Sequence, residues 1–446
     1  MRILFKKYII AFAWWLKGFK ILKAYKKLIS RERWNEYQWN EYQNKLFVDF
    51  VNHCYDNVPY YKNLFDENNI KPEDIKSIKD LHKIPILTKD IVRDNQENLL
   101  AKNIDHTLLS KGHTTGSTGK PIVFYNSKRR TESIVAGMWR LYRRCGWKPG
   151  EQIASIWGFK DQDYNQSKWK SSLRDFFSGI THLNAWKAND DDFERWYCLI
   201  KKRNITVIVC YASLGVRFAN WLIDNNKKLD SIKGVFSTSE KLYDFQKKQI
   251  EKAFSCKVFN LYGCGEVVHI ACTCNEGNMH VNPDMVIVET GEKNEVGDKE
   301  LIVTGLTNWV MPFLRYTNGD AGDLMDKECT CGLNTPLMDL SVSRLADVFT
   351  FSDGKKYSSL YFVLRFYKEG FDGIELFQLH QDKVDHIFLR IVKNEKFTNA
   401  TLDNIDKAIN DIKKHINNEA EIELVFTDYI EQSVTSKHYY AKSDVK

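Results

Sequence analysis

The chain has 446 residues, 43% hydrophobic and 28% charged, with a net charge of +7. This length suits two to three domains with a large core, and the composition excludes a disordered chain and an integral membrane protein. The charge is uneven. Residues 1–33 carry ten Lys and Arg against Glu32 alone, which leaves the other 413 residues at −2, and a near-neutral body does not suggest nucleic-acid binding.

The chain opens on a basic, apolar segment. Residues 8–16 are uncharged and apolar, and Lys17 ends the run. Such a run is far short of the roughly 20 residues that span a bilayer. No small-residue cleavage site follows it. Lysines then alternate with apolar residues, and on a helix they would fan out beside Trp14, Trp15, Phe19 and Leu22. Two readings follow. One is a helix lying in a membrane interface with lysines on anionic headgroups. The other is an amphipathic helix packed on the body or on a partner chain.

Residues 34–66 read as helical up to a break at Pro59. Pro85 and Thr88-Lys89-Asp90 mark a chain break and a helix start. From about residue 105 to 345, short apolar runs alternate with helical stretches. The runs are 153–157, 205–211, 234–239 and 257–263. That alternation predicts α/β architecture with mostly parallel, buried strands. Beyond 346 the pattern changes: strands at 374–380, 386–393 and 421–427 and a helix over 398–417 predict a separate α+β domain of about 100 residues. The expected parts are therefore 1–33, 34–345 and 346–446.

Residues 113–121 read HTTGSTGKP. Thr114, Thr115, Ser117 and Thr118 offer hydroxyls, Gly116 and Gly119 allow close backbone approach, and Lys120 adds positive charge. Such a loop can wrap phosphate oxygens, although it lacks the Walker A spacing. The bland reading is a polar surface turn. The ten cysteines divide into six singles (Cys54, Cys145, Cys198, Cys210, Cys256, Cys264) and two C-x-C pairs, at 272–274 and 329–331. This is not a disulfide framework. It reads as a reducing, cytoplasmic compartment with a metal site.

The loop TTGSTGKP resembles the Ser/Thr-Gly signature of adenylate-forming enzymes, and its details are most similar to the phenylacetate–coenzyme A ligase branch, which includes relatives encoded with capsular polysaccharide genes. Further segments match that family in order over residues 55–445. STSEKL at 237–242, with Ser239 and Glu240, resembles the adenine-pocket segment. YGCGE at 262–266 resembles the family's Tyr-Gly-x-Thr-Glu. The resemblance puts Tyr262 and Gly263 at the base and makes Glu266 the Mg²⁺ ligand, a hard-oxygen role. RYTNGD at 315–320 makes Asp320 the acceptor of the ribose hydroxyls; on its own, Asn-Gly-Asp would read as a β-turn. SRLAD at 343–347 resembles the hinge, with Arg344 on ribose or phosphates and Asp347 near the pivot. TSKHYY at 435–440 resembles the element whose lysine enters the active site, which points to Lys437. Two departures stand out: Gly265 replaces a Thr or Ser, and Ser343 replaces a Gly.

Thiolates and imidazole are ligands of tetrahedral zinc. By the resemblance, Cys274, His280, Cys329 and Cys331 form a structural Zn²⁺ site, with Cys272 an alternate ligand; the bland reading is free cysteines and a surface histidine. The resemblance thus implies a large multi-layer N-terminal domain and a small mobile C-terminal one. It implies ATP-dependent activation of a carboxylic acid as acyl-AMP, then transfer to coenzyme A or an amine, in a chain that often dimerises. A membrane-associated place in polysaccharide biosynthesis is the finer expectation. The competing class is a degenerate nucleotide-binding or scaffold protein. Trp157, Phe159, Trp186 and Tyr211 fall where an acid pocket would draw its walls, although such aromatics are more often core.

Overall fold

The computed structural model describes residues 2–113, 122–158, 168–186, 188–294, 297–340, 348–367, 373–431 and 438–445. The chain divides into two compact units. The large unit holds Met1–Glu289, Ile302–Asn318 and Leu324–Asp339; the small one holds Thr290–Leu301, Gly319–Asp323 and Leu340–Lys446. The small unit thus includes two pieces upstream of the expected 345/346 boundary. Both are parts of strands that begin or end in the large unit, so no turn or change of composition marks them in the sequence.

The large unit is built on a nine-stranded sheet. Its spatial order is Asp323–Met325, Leu337–Asp339, Met279–Val281, Ala271–Thr273, Lys257–Tyr262, Gly234–Thr238, Ile205–Cys210, Gln152–Trp157, Ile180–Asn184. The last five strands run parallel. Parallel strands need apolar cover on both faces, and all six residues of Ile205–Cys210 are buried. Alternate residues serve the two faces. Ile153, Val207, Val209, Phe236 and Phe259 join one core cluster, while Ala154, Ile208, Cys210, Val235 and Val258 join the other. The helices Asp190–Arg203, Ala212–Asp224 and Asp244–Phe254 cover the second face. Trp157 and Tyr211 belong to that core, their rings edge to face at 4.8 Å.

The first face is covered by the helix Lys128–Tyr142 and by the N-terminal segment. That segment forms α1, Arg2–Leu16, and α2, Ile21–Ile29. Ile10, Ile21, Tyr25 and Leu28 are buried against Trp139, Tyr142 and Trp147. The packed-helix reading therefore describes the inner faces of both helices. Beyond α2, Arg31 reaches Asp284 at 3.6 Å. Asp284 is fully buried and makes a bidentate pair with Arg140 at 2.8 and 2.9 Å. Arg140 also donates to Asn282 Oδ1 at 3.2 Å.

The helix expected over 34–66 is two, Glu36–Asn57 and Pro59–Glu67, with Pro59 at the first position of the second. Thr88 caps Lys89–Asp94. The small unit carries a four-stranded sheet, in order Glu421–Phe426, His386–Lys393, Ile374–Lys383, Ala441–Ser443, with the helices Ser359–Tyr367 and Asn399–His415. These match the expected C-terminal elements within a few residues.

Removing one partner of a buried, hydrogen-bonded ion pair strands the other charge and costs about 3–5 kcal/mol. Asp284→Ala should lower the unfolding free energy by that amount in urea titrations. A loss below about 1 kcal/mol would mean that Arg140 and Arg31 find solvent or another acid.

Candidate active site and cysteine cluster

The strand Lys257–Tyr262 ends at the tyrosine that begins YGCGE. Gly263 follows where the backbone of His269 closes in. A Cβ at 263 would lie 2.9 Å from the His269 amide nitrogen, so the turn requires glycine. The loop then folds back on itself, with the Cys264 amide donating to the Val267 carbonyl at 3.1 Å.

A buried cation holds this loop. Arg130, in the first turn of Lys128–Tyr142, has no exposed surface. Its guanidinium donates to the carbonyls of Gly265 at 2.9 Å and Glu266 at 2.6 Å, and to Asn126 Oδ1 at 2.6 Å. Burial lowers its pKa to about 10, with Cys264 and Glu266 opposing, so it stays charged at neutral pH. Sequence reading missed Arg130, because it sits in the run Lys128-Arg129-Arg130 with nothing to single it out.

Glu266 is buried, and its Oε1 accepts from the Tyr316 hydroxyl at 2.7 Å. Tyr316 belongs to RYTNGD. That segment lies within the strand Phe313–Ala321, so Asn-Gly-Asp is not the β-turn that the tripeptide alone suggests. In the same strand Asn318 Nδ2 donates to the Tyr262 hydroxyl at 2.9 Å, and its carbonyl accepts from Lys89 Nζ. Two residues of one motif therefore fix two of the other: Tyr316 holds Glu266, and Asn318 anchors the edge of the Tyr262 ring. Arg315 is occupied elsewhere, on Glu289 at 3.1 Å and on the carbonyls of His82 and Ile84. Asp320 is half-buried, two positions beyond Asn318.

Glu240 is engaged within the large unit. Its carboxylate accepts from the Ser213 amide at 2.8 Å and hydroxyl at 3.0 Å. It thereby caps the helix Ala212–Asp224, whose own N-cap residue, Tyr211, supplies no side-chain bond. Ser239 beside it has φ +67°, a left-handed conformation uncommon outside glycine. Thr114, Thr115, Gly116, Ser117, Thr118, Gly119 and Lys120 lie outside the described residues, as do Phe159, Ser343, Arg344, Asp347 and Lys437.

The cysteine cluster is assembled by turns. Cys274 closes a tight turn between Ala271–Thr273 and Met279–Val281: its amide donates to Asn278 O at 2.8 Å, and Gly277 takes φ +80°. Cys329 and Cys331 lie on the segment between the strands Asp323–Met325 and Leu337–Asp339, and Leu337 pairs with His280. The ligand atoms of Cys274, His280, Cys329 and Cys331 all lie within 4.8 Å of one another. Cys272 is buried in the sheet core and is not in this group.

Tetrahedral zinc with its usual bond lengths would separate two sulfurs by about 3.8 Å and sulfur from nitrogen by about 3.6 Å. The Cys274–Cys329 distance is 3.7 Å and Cys331 Sγ to His280 Nε2 is 3.3 Å. His280 Nδ1 lies within hydrogen-bond distance of Thr335 Oγ1 at 3.0 Å, so Nε2, the nitrogen that faces Cys331 Sγ, is the one placed to ligate. The donor set and spacing fit a four-ligand metal site.

No family model matches the chain. In sequence it is 27% identical over 308 residues to Protein CapK of Staphylococcus aureus, covering 68% of this chain and 66% of that protein. It is 26% identical over 308 residues to phenylacetate-coenzyme A ligase of Thermus thermophilus, covering 65% and 66%. The matches thus span just under two thirds of those relatives' own length. In structure it is similar to 2-hydroxyisobutyryl-CoA ligase in complex with an acyl-AMP, with TM-score 0.75, 15% identity, and 93% and 91% of the two chains covered. It is also similar to the anthranilate CoA ligase AuaEII in complex with anthranoyl-AMP, with TM-score 0.52, 13% identity, and 81% and 74% covered. The fold is that of adenylate-forming ligases. In sequence the chain is similar to phenylacetate-coenzyme A ligases, at 26% identity or less, and to Protein CapK.

Behind the YGCGE loop, His269 is buried and its Nε2 donates to Ile134 O at 2.9 Å. Desolvation lowers its pKa to about 4; the bond to Ile134 opposes this and the nearby Arg140 and Arg130 add to it. The unfolded chain takes up this proton near pH 6.5, whereas the native state refuses it until about pH 4. The contribution of His269 to stability is therefore fully present above about pH 6.5 and falls as pH drops toward 4. It should lower the unfolding free energy by about 2 kcal/mol between pH 7 and pH 5. His269→Gln should flatten the measured profile by that amount. An equally steep profile in the variant would assign the acid sensitivity to other groups.

Proposed function

We propose that the chain activates a carboxylic acid with ATP and passes the acyl group to a thiol, coenzyme A, or to an amine. The observation that carries this reading is the paired fixing of the two motifs, Tyr316 on Glu266 and Asn318 on Tyr262. A carboxylate oxygen attacks the α-phosphorus of ATP, the bond to the bridging oxygen breaks, and pyrophosphate leaves. The acceptor then adds to the acyl carbonyl and AMP departs. In this scheme the ring of Tyr262 faces the base, Asp320 takes the ribose hydroxyls, and Thr114, Thr115, Gly116, Ser117, Thr118, Gly119 and Lys120 hold phosphates. Arg344 and Lys437 offset the charge that builds on the reacting oxygens. Glu266 would hold Mg²⁺, which neutralises phosphate charge when bound. A further step in the same reading, resting on the resemblance of the sequence motifs alone, is an acid destined for polysaccharide biosynthesis.

Gly265 favours a second reading, a protein that binds nucleotide without adenylating. Its carbonyl is engaged by Arg130, but it lacks the hydroxyl that the family places near the α-phosphate. ATP–pyrophosphate exchange over aryl acids, amino acids, short fatty acids and uronic acids separates the two. The expected result is exchange dependent on one acid, falling roughly a hundredfold or more in Glu266→Gln. ATP binding with no exchange across the panel would favour the second reading.

Cys274, His280, Cys329 and Cys331 would hold Zn²⁺ in a closed, structural site, which ties the Cys274 turn to the 329–331 segment. Purified protein should carry about one zinc per chain, released by chelator with a fall in melting temperature, and Cys331→Ser should lose most of it. Protein free of metal with an unchanged melting temperature would sink this assignment.

A further inference from the structure

Acid activation uses none of the outer face of α1. Its inner side packs on the body, where Ile10 is buried and meets the backbone at Gly179. On the other side Tyr8, Phe12, Trp15 and Leu16 are 60%, 57%, 61% and 66% exposed. The spacing i, i+4, i+7, i+8 makes them one stripe, and Phe12 stacks on Trp15 at 5.7 Å. Isolated exposed apolar residues are ordinary, but four on one stripe form a patch.

The surroundings of the patch are basic. No acid precedes Glu32 in the sequence, and Glu32 lies 3.6 Å from Arg143. The side chains of Lys17, Lys20, Lys23, Lys26 and Lys27 are exposed where α1 ends and along α2. Lys23, Lys26 and Lys27 line a shallow groove with Leu22 and Ser30. A second protein chain would have to bring acids to match this charge, whereas an anionic bilayer offers negative charge and an apolar layer together. Trp and Tyr, with apolar bodies and polar edges, suit the boundary between headgroups and acyl chains. Among the described residues no helix is long and apolar enough to cross a membrane, so α1 would lie in the surface plane.

We propose that the outer stripe of α1 and the lysines beside it dock this protein on an anionic phospholipid bilayer. The docking is independent of the adenylation chemistry and is tested apart from it. Full-length protein is sedimented with vesicles of phosphatidylcholine alone or with 30 mol% phosphatidylglycerol. Partitioning should be at least tenfold stronger on the anionic vesicles and fall in 0.5 M salt. Phe12→Ser/Trp15→Ser and, separately, Lys17→Glu/Lys23→Glu/Lys27→Glu should each reduce it tenfold or more with the melting temperature unchanged, because these side chains are exposed. Equal or absent binding to both vesicle types overturns the proposal. So does a wild-type dimer that fails to bind vesicles and that Phe12→Ser/Trp15→Ser converts to monomer, since the stripe would then cover a second copy.

Discussion

A sheet of parallel strands is apolar on both faces, and the fold of the large unit follows from the need to cover both. Strands such as Ile205–Cys210 are buried at every residue. One face is covered by three helices from the middle of the chain, the other by Lys128–Tyr142 together with α1 and α2. The N-terminal segment is thus part of the core's enclosure. Its buried residues supply apolar cover, and the ion pairs that Arg140 and Arg31 make with Asp284 fasten it at its far end. The same packing forces the remaining apolar side of α1 outward.

The site grows from the ends of that sheet. The strand Lys257–Tyr262 delivers YGCGE at its carboxyl end, where parallel α/β sheets place ligands. The loop is not stiff by itself. Gly263 lets it turn against His269, and Arg130 collects two of its carbonyls. Burying a guanidinium is costly unless its donors are used; three acceptors meet the two terminal nitrogens of Arg130, while its buried Nε has no partner among the described residues. Arg130 also links the loop to the helix that follows the glycine-rich segment 114–121, so segments far apart in sequence share one fixed point.

The cysteine cluster shows the same economy. A short turn with Gly277 presents Cys274, a strand presents His280 and the 329–331 segment supplies the other two. Thr335 sets the imidazole, and Asn278 donates to Cys329 Sγ at 3.2 Å. A tetrahedral ion would convert two loosely tied turns into one rigid corner at the end of the sheet where the antiparallel strands gather.

Much of this was legible in the sequence, because the signals are local. Short apolar runs alternating with helical stretches marked the buried parallel strands, the change of pattern beyond 346 marked the strands and helix of the C-terminal α+β part, and ligand-type residues in C-x-C spacing pointed to the cluster. What the chain could not disclose were relations between distant residues. Arg130 looks like any other basic residue at a helix start until its neighbours are known. Glu240 reads as a pocket residue, and only the fold shows its carboxylate capping Ala212–Asp224. Asn-Gly-Asp reads as a turn, yet it lies within the strand Phe313–Ala321, with Gly319 at φ +79°. Composition determined that residues 1–33 are amphipathic and basic; tertiary packing decided which side of α1 is buried. Periodicity defines a face, but only a partner surface decides whether that face is covered.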